Sequence, residues 1–149
     1  MAVRIVIAVL ILATVGGVAL VMRRRPPEAP PRDVYPVPKQ LDRADFPRPE
    51  AAWLVTLFSS ATCDSCQGLG AKLTPLETND VAVCEIKFEQ QEALHRRYEL
   101  AAIPTTVIAD HEGVVRRAFV GAFTATDLWA AVAELRDPGS SPEPDLGAV

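Results

Sequence analysis

The sequence predicts a small α/β sandwich, with a central sheet flanked by helices, behind an N-terminal transmembrane helix. Strand-like apolar runs alternate with helical periodicity in the order β-α-β-α-β-β-α, which is the pattern of a layered α/β domain. An uncharged run of 18 residues from Ile5 to Met22 predicts the transmembrane helix.

Length and composition limit the classes of function. The chain has 149 residues, of which 49% are hydrophobic and 23% charged, and this suits one modest domain with appendages. Its net charge is −4, but four arginines lie in the first 25 residues, so residues 26–149 carry 11 basic and 19 acidic residues. An acidic body argues against a nucleic-acid binder, which needs a basic face for phosphates. Three cysteines are too few for a disulfide-stapled scaffold.

The N-terminus is predicted to be a membrane anchor, with residues 1–4 before it. As a helix, residues 5–22 would be roughly 27 Å long, close to the hydrocarbon thickness of a bilayer. A cleaved signal peptide is the alternative, but the run is longer than a usual signal core, no A-x-A site closes it, and Arg23–Arg25 follow at once. We therefore expect a single-pass protein of the cell membrane.

The arginines that flank the anchor indicate its orientation. Three arginines follow the apolar run, against Arg4 and the α-amino group before it. By the positive-inside rule, this difference of about one charge favours a cytoplasmic C-terminal domain.

The remaining chain divides into a linker, a folded domain and a tail. Residues 23–49 form a basic, proline-rich linker with eight prolines between Pro26 and Pro49, a composition typical of an extended spacer. Within it, Val34–Val37 and Leu41–Phe46 are candidates for a short first strand. Residues 50–137 form the folded domain, and residues 138–149, rich in Pro, Ser and Gly, are expected to be disordered.

Hydrophobic patterning places the elements of the folded domain. Strands are predicted at Trp53–Phe58, Val81–Phe88, Thr105–Ala109 and Val114–Val120, the last two joined by a turn at Asp110–Gly113. Helices are predicted at three segments: one with Leu69, Leu73 and Leu76 on one face, a polar one over Gln91–Tyr98, and one that begins at Thr124, with Leu128, Val132 and Leu135 on its apolar face.

The chemistry centres on Cys63-Asp64-Ser65-Cys66, a CxxC that follows the first strand and is predicted to open a helix. At a helix N-terminus, free backbone N–H groups and the macrodipole stabilise a thiolate on the first cysteine. The second cysteine then lies one turn inward, close enough to form a disulfide with the first. The third cysteine, Cys84, lies within a predicted strand and is interpreted as a buried small hydrophobe.

A metal site at Cys63 and Cys66 is the main alternative. A closed zinc site needs four ligands, and the two histidines, His95 and His111, have no ligand spacing to the pair. His95 is expected to be a solvated helix residue and His111 a turn residue. Cu(I) needs only two thiolates, and a module that holds Cu(I) or Zn through Cys63 and Cys66 stays open as the alternative. A catalytically idle adaptor also stays open, although such a domain has no need of both thiols.

These motifs together resemble the thioredoxin family. The resemblance covers residues 50–137 and rests on the apolar strand, Cys63-x-x-Cys66, the segment Tyr98-x-Leu100-x-x-Ile103-Pro104-Thr105, and Gly121 before the last helix. It implies a central mixed sheet flanked by helices and a cis peptide bond before Pro104. It also implies that a substrate chain binds at Thr62, Ile103 and Pro104, beside the disulfide.

Several positions depart from the family pattern. The family's tryptophan before the first cysteine is Thr62 here, its Gly-Pro between the cysteines is Asp64-Ser65, and its helix-kinking proline is Ala71. The chain is therefore expected to be a divergent, membrane-anchored member of the kind found in actinobacteria.

Two further departures concern the proton of Cys66. The buried acid of the family falls at Leu57, and the lysine beside that acid falls at Glu85. We expect Glu85 to face solvent, because Cys84 and Ile86 are the apolar neighbours that its strand would bury. Cys66 is then left in apolar surroundings with a weakly acidic thiol.

The sequence thus predicts a membrane-tethered thiol–disulfide oxidoreductase that reduces protein disulfides. Cys63 attacks a substrate disulfide as the thiolate, and Cys66 resolves the mixed disulfide that forms. Neither a cofactor nor a metal is needed. The implied partners are a protein with a disulfide or dithiol, a redox partner that recycles the cysteine pair, and the lipid bilayer.

Overall fold

The computed structural model describes residues 35–142 and Gly147. The expected short N-terminus (1–4), the expected anchor (5–22) and the first part of the linker lie outside these residues. Within the part of the chain that the structure describes, no helix is both long and apolar enough to cross a membrane.

Four strands form one mixed sheet. They are β1 (Trp53–Ser59), β2 (Val81–Lys87), β3 (Thr105–Asp110) and β4 (Val115–Val120), in the order β2-β1-β3-β4. Strand β1 pairs in parallel with β2 and antiparallel with β3, and β3 pairs antiparallel with β4. The strands that the hydrophobic runs predict are thereby confirmed, and the sheet is mixed.

In the described part of the chain, three helices connect and cover the strands: α1 (Leu69–Leu73), α2 (Phe88–Arg97) and α3 (Ala125–Arg136). A 3-10 turn over Thr74–Leu76 continues α1. The cap of α3 is as expected, because the Thr124 side chain accepts a hydrogen bond of 3.1 Å from the Asp127 N–H. Helix α2 begins earlier than predicted, with a first turn that precedes a non-helical backbone at Gln91.

The two faces of the sheet carry separate cores, which makes the domain a three-layer sandwich. On one face, Leu54 and Phe58 of β1 pack with residues of α2 and of the segment before β1. On the other face, Val55 and Leu57 of β1 pack with the apolar sides of α1 and α3. Because β1 lies between β2 and β3, the chain that leaves its carboxyl end emerges between the two helical layers.

The segment before β1 is not the short strand that its apolar residues suggested. It contains a 3-10 turn at Arg43–Asp45 and makes one isolated bridge to the sheet, between Gln40 and Val114. Pro36 and Pro38 have no N–H to donate to a strand ladder, which explains the difference. Leu41 is nevertheless 1% exposed, so the packed body begins before residue 50.

Hydrogen bonds also hold the described part of the tail. The carboxylate of Glu134 accepts bonds from the Gly139 N–H over 2.8 Å and the Ser141 N–H over 2.9 Å. Further along, the Gly147 carbonyl accepts a bond of 2.6 Å from the Ala118 N–H of β4. These residues of the segment predicted as disordered therefore make defined contacts with α3 and β4.

Candidate active site

Cys63 and Cys66 form a disulfide on a short turn that follows β1, with their Cα atoms 5.3 Å apart. In this cysteine turn (residues 63–66), the Cys66 N–H donates to the Cys63 carbonyl over 3.1 Å, and Asp64–Cys66 form a single 3-10 turn. Cys63 is half-buried, whereas Cys66 is 7% exposed. The first sulfur is therefore in the more accessible residue of the pair.

The cysteine turn does not open a long helix, contrary to the sequence prediction. The backbone is extended at Gln67 (φ −60°, ψ 132°) and left-handed at Gly68 (φ 72°), and α1 begins only at Leu69. Glycine adopts a positive φ at little steric cost, so Gly68 permits the break. The macrodipole of α1 consequently does not end at Cys63, and only the N–H groups of one turn can stabilise a thiolate there.

The Ile103–Pro104 peptide bond is cis, as the resemblance implies. Pro104 is buried and immediately precedes β3, whose first residue, Thr105, pairs with Phe58 near the carboxyl end of β1. The Pro104 carbonyl accepts a bond of 2.8 Å from the Gly121 N–H, which fixes the loop. The antiparallel register thus brings Ile103 and Pro104 to the end of the sheet from which the cysteine turn leaves.

The residues expected to contact a substrate differ in exposure. Thr62, just before the first cysteine, is exposed, and Ile103 is half-buried beside the buried Pro104. Thr62 follows β1, whereas Ile103 and Pro104 precede β3, so all three lie at the same end of the sheet. Their role in substrate binding stays a prediction.

Glu85 keeps an exposed surface, as expected, but its carboxylate turns back to the sheet. Oε1 accepts a hydrogen bond of 2.6 Å from the hydroxyl of Ser59, a residue 1% exposed at the end of β1. A Cβ added to Gly70 would lie 2.7 Å from Glu85 Oε2, so the carboxylate packs against the first turn of α1. The carboxylate turns inward because Ser59 offers a donor and Gly70 leaves space.

Two polar residues at this end of the sheet, Ser59 and Glu89, were not predicted from the sequence. Glu89, in the first turn of α2, accepts a hydrogen bond of 3.0 Å from the Ala61 N–H. The sequence gives only weak indications of these two residues: serines end an apolar strand, and an acid lies just after β2. Neither pattern indicates which side chains will meet.

Cys84 lies on β2 and is half-buried. Its thiol donates a hydrogen bond of 3.2 Å to the hydroxyl of Thr56, the neighbouring residue in the parallel pairing. Burial raises the pKa of the Cys84 thiol to about 11, although the bond to Thr56 acts in the opposite direction. Cys84 is thus a protonated, partly buried thiol packed against the core that contains Phe58, rather than the fully buried hydrophobe expected.

The two histidines lie in different environments. His95 is 4% exposed rather than solvated, because Nε2 bonds to the Ile86 carbonyl over 2.9 Å and the ring packs edge-on against Phe58 and Phe88. His111 is exposed in the turn before β4. Among residues 35–142 and Gly147, no group of three or more His, Cys, Asp or Glu residues could hold a metal ion.

Solved structures share this architecture. The chain is similar to the germline-specific thioredoxin Deadhead (thioredoxin-1) of Drosophila melanogaster, with a TM-score of 0.51 and 22% identity, covering 58% of this chain and 84% of that one. It is also similar to thioredoxin-2 of the malaria parasite, with a TM-score of 0.50 and 16% identity, covering 56% and 82% of the two chains. The fold is that of thioredoxins. No protein-family model and no curated protein sequence matches the chain.

The structure shows where two of the departures from the family pattern, Leu57 and Glu85, lie on this thioredoxin fold. Leu57 is fully buried and belongs to the core between β1, α1 and α3. The carboxylate that approaches the same layer comes from Glu85 on the next strand, in register with Leu57. The thioredoxin fold is thus retained with its carboxylate on β2, against Ser59 at the end of β1 and Gly70 of α1.

Proposed function

We propose that this chain is a thiol–disulfide oxidoreductase that reduces disulfides in proteins. The observation that carries the proposal is the Cys63–Cys66 disulfide on a thioredoxin fold, at the same end of the sheet as the cis Ile103–Pro104 bond. Two cysteines that close into a disulfide give up two electrons and two protons. The reverse reaction reopens the pair, so these two sulfurs can carry electrons without a cofactor.

The reaction begins at the more accessible sulfur. Cys63, as the thiolate, attacks one sulfur of a substrate disulfide, and the S–S bond of the substrate breaks. One substrate sulfur leaves as a thiolate, while the other stays joined to Cys63 in a mixed disulfide. The half-buried position of Cys63 and the burial of Cys66 support this order of events.

Cys66 completes the reaction. Its thiol loses a proton and attacks the Cys63 sulfur, and the second substrate sulfur leaves as a thiolate. The Cys63–Cys66 disulfide forms again, and two electrons have passed to the substrate. A dithiol donor must then reduce the pair before the next cycle.

The direction toward reduction is supported by the charge and backbone of the cysteine turn. Asp64 places a carboxylate one residue from Cys63, and a neighbouring negative charge disfavours the thiolate. The break at Gln67 and Gly68 removes the dipole of a long helix, which would favour it. A poorly stabilised thiolate gives a pair that is a better electron donor than acceptor.

The test is the reduction of insulin disulfides by the full chain in detergent, with dithiothreitol as the electron donor. We expect the chain to accelerate reduction well beyond dithiothreitol alone. Cys63→Ser and Cys66→Ser should abolish the acceleration, and Cys84→Ser should retain it. Absence of acceleration, with a metal ion bound by the reduced protein in a 1:1 ratio, would favour the metal-binding module instead.

The proposal includes a membrane tether, which rests on the sequence of residues 5–25 alone. Arg23–Arg25 favour a cytoplasmic position for the domain. A reporter enzyme that is active only outside the cell, fused after Val149, should therefore be silent. Activity of that reporter would place the domain on the outer face, with extracytoplasmic proteins as its substrates.

A further inference from the structure

One side chain joins the loop before the cysteine turn to helix α2. This loop, Ser60–Thr62, connects β1 to Cys63. Oε1 of Glu89 accepts a hydrogen bond of 3.0 Å from the Ala61 N–H and a second bond from the Ser60 hydroxyl. Glu89 is exposed, so core packing does not impose these contacts.

Ser60 connects Glu89 to Thr62 and Cys63 through further hydrogen bonds. Its hydroxyl gives its one proton to Glu89 and therefore accepts from Thr62, whose N–H lies 3.2 Å away and whose hydroxyl lies 3.0 Å away. The Ser60 carbonyl accepts a bond of 3.2 Å from the Cys63 N–H. A single residue therefore links the Glu89 carboxylate to both Thr62 and the backbone of Cys63.

The carboxylate also brings charge to the loop. The hydrogen bond from the Ser60 hydroxyl, followed by bonds from backbone N–H groups, holds the pKa of Glu89 below its usual value. Glu89 is thus ionised at neutral pH. A negative charge bound two residues before Cys63 disfavours a second negative charge on the Cys63 sulfur.

We propose that Glu89 is a positioning residue for Cys63, which fixes the preceding loop through Ser60 and keeps the Cys63 thiol weakly acidic. The inference rests on the proposed function, because it assigns Glu89 a part in presenting the sulfur that attacks. Glu89, Ser60 and Ala61, which make these contacts, lie outside the cysteine turn and outside the segment around Pro104.

The charge component is tested on the acidity of a single thiol. In the Cys66→Ser background, the rate of Cys63 alkylation by iodoacetamide is measured from pH 5 to 10. Glu89→Gln removes the charge and keeps an acceptor oxygen. The matched control is Glu92→Gln, the next carboxylate along α2, which pairs with Arg96 over 2.6 Å at the exposed surface.

We expect Glu89→Gln to raise the alkylation rate near pH 6–7 about two- to threefold, the size of effect that one solvent-screened charge exerts. Glu92→Gln should leave the rate unchanged. Equal profiles for the two variants, whether shifted or unshifted, would overturn the assignment of charge to Glu89.

The positioning component is tested in the protein with both cysteines. Ser60→Ala removes the hydroxyl link and keeps the carboxylate, whereas Glu89→Ala removes both. We expect each to raise the KM for a protein disulfide about threefold or more. The reduction rate of a small disulfide should stay unchanged in Ser60→Ala, which keeps the carboxylate, and should rise about two- to threefold in Glu89→Ala, which loses the charge. A lower melting temperature with unchanged KM and an unchanged alkylation profile would reduce Glu89 to an ordinary structural contact.

Two features keep this test separate from that of the proposed function. Alkylation requires only the Cys63 thiol, so the acidity comparison gives an answer even in a chain that reduces no protein disulfide. Glu89→Gln is nearly isosteric with the native side chain, so the comparison does not depend on how well Glu89→Ala folds.

Discussion

The hydroxyl of Ser59 donates a hydrogen bond of 2.6 Å to the carboxylate of Glu85, and this bond places a charged group against the first turn of α1. The family pattern has its acid on β1, where this chain has the fully buried Leu57. Leu57 and Glu85 are direct neighbours in the parallel register. Compared with the family pattern, the acid therefore lies on β2 instead of β1. It contacts Ser59, at the end of the strand that leads to the cysteine turn.

The first prediction concerns the proton of Cys66. Cys66 is 7% exposed, and a thiol in such surroundings is a weak acid that needs an acceptor before it attacks. We expect Glu85→Gln to slow the release of a mixed disulfide about tenfold near pH 7, because the acceptor is lost. The slowed rate should then rise with pH through about 8–9, the range of an unassisted thiol.

Single-turnover release of a substrate from Cys63, measured from pH 6 to 10, checks this prediction. Gly70→Ala should act like Glu85→Gln, since its Cβ would lie 2.7 Å from Oε2 and displace the flexible carboxylate. Leu57→Asp should restore fast release in the Glu85→Gln background, and the exposed Glu77→Gln serves as the charge-matched control. If the wild-type rate itself climbs through pH 8–9, Glu85 does not accept the proton.

The second prediction assigns the attacking sulfur. Cys63 is half-buried and Cys66 is buried, so a substrate disulfide reaches Cys63 first. Cys66→Ser should therefore accumulate mixed disulfides with protein substrates in cells, and Cys63→Ser should accumulate few. Non-reducing gel electrophoresis after acid quenching measures both. Equal trapping by the two variants would contradict the assignment.

The third prediction is the reduction potential of the Cys63–Cys66 pair. The break at Gly68 and the charge of Asp64 both disfavour the Cys63 thiolate. We expect a potential nearer thioredoxin's roughly −270 mV than the roughly −120 mV of DsbA. Equilibration with glutathione buffers gives the value, and Asp64→Asn should raise it. A result above about −180 mV, the figure for protein disulfide isomerase, would contradict the prediction.

The fourth prediction concerns Cys84. Because burial raises the pKa of its thiol to about 11, the group stays protonated below that pH and becomes a thiolate only as the pH rises through it. At pH 8 roughly one molecule in a thousand would carry the thiolate. Brief treatment of the reduced protein with iodoacetamide at pH 8 should label Cys63 and leave Cys84 unlabelled, as read by mass spectrometry. Denatured protein, in which all three thiols react, is the control, and rapid labelling of Cys84 in the folded chain would contradict the raised pKa of its thiol.

The strands were predictable because their residues are apolar wherever the sheet is covered. Val55 and Leu57 face one helical layer while Leu54 and Phe58 face the other, and a strand covered on both faces needs a continuous apolar run. The start of α3 was predictable for a different reason. A single local contact, from the Asp127 N–H to Thr124, determines it.

The remaining differences come from contacts between residues far apart in sequence. His95 sits among arginines in the chain, yet the sheet buries it against Phe58. Glu85 turns inward only because Ser59 and Gly70, from two other elements, meet it there. The interruption of the helix at Gly68 could not be predicted either, because a glycine two residues after a CxxC is compatible with either a helix or a turn.

The separation of the cysteine turn from α1 has a consequence for local order. Residues 63–66 have no helix to hold them, and the backbone bonds at Cys63, Cys66 and Gln67 are those of isolated turns. The covalent bridge between the two sulfurs is thus the strongest restraint on this stretch, and opening it removes that restraint. Amide hydrogen exchange at residues 63–68 should accelerate on reduction while α1 stays protected. The exchange rate of these backbone amides would then report whether the cysteine pair is oxidised or reduced.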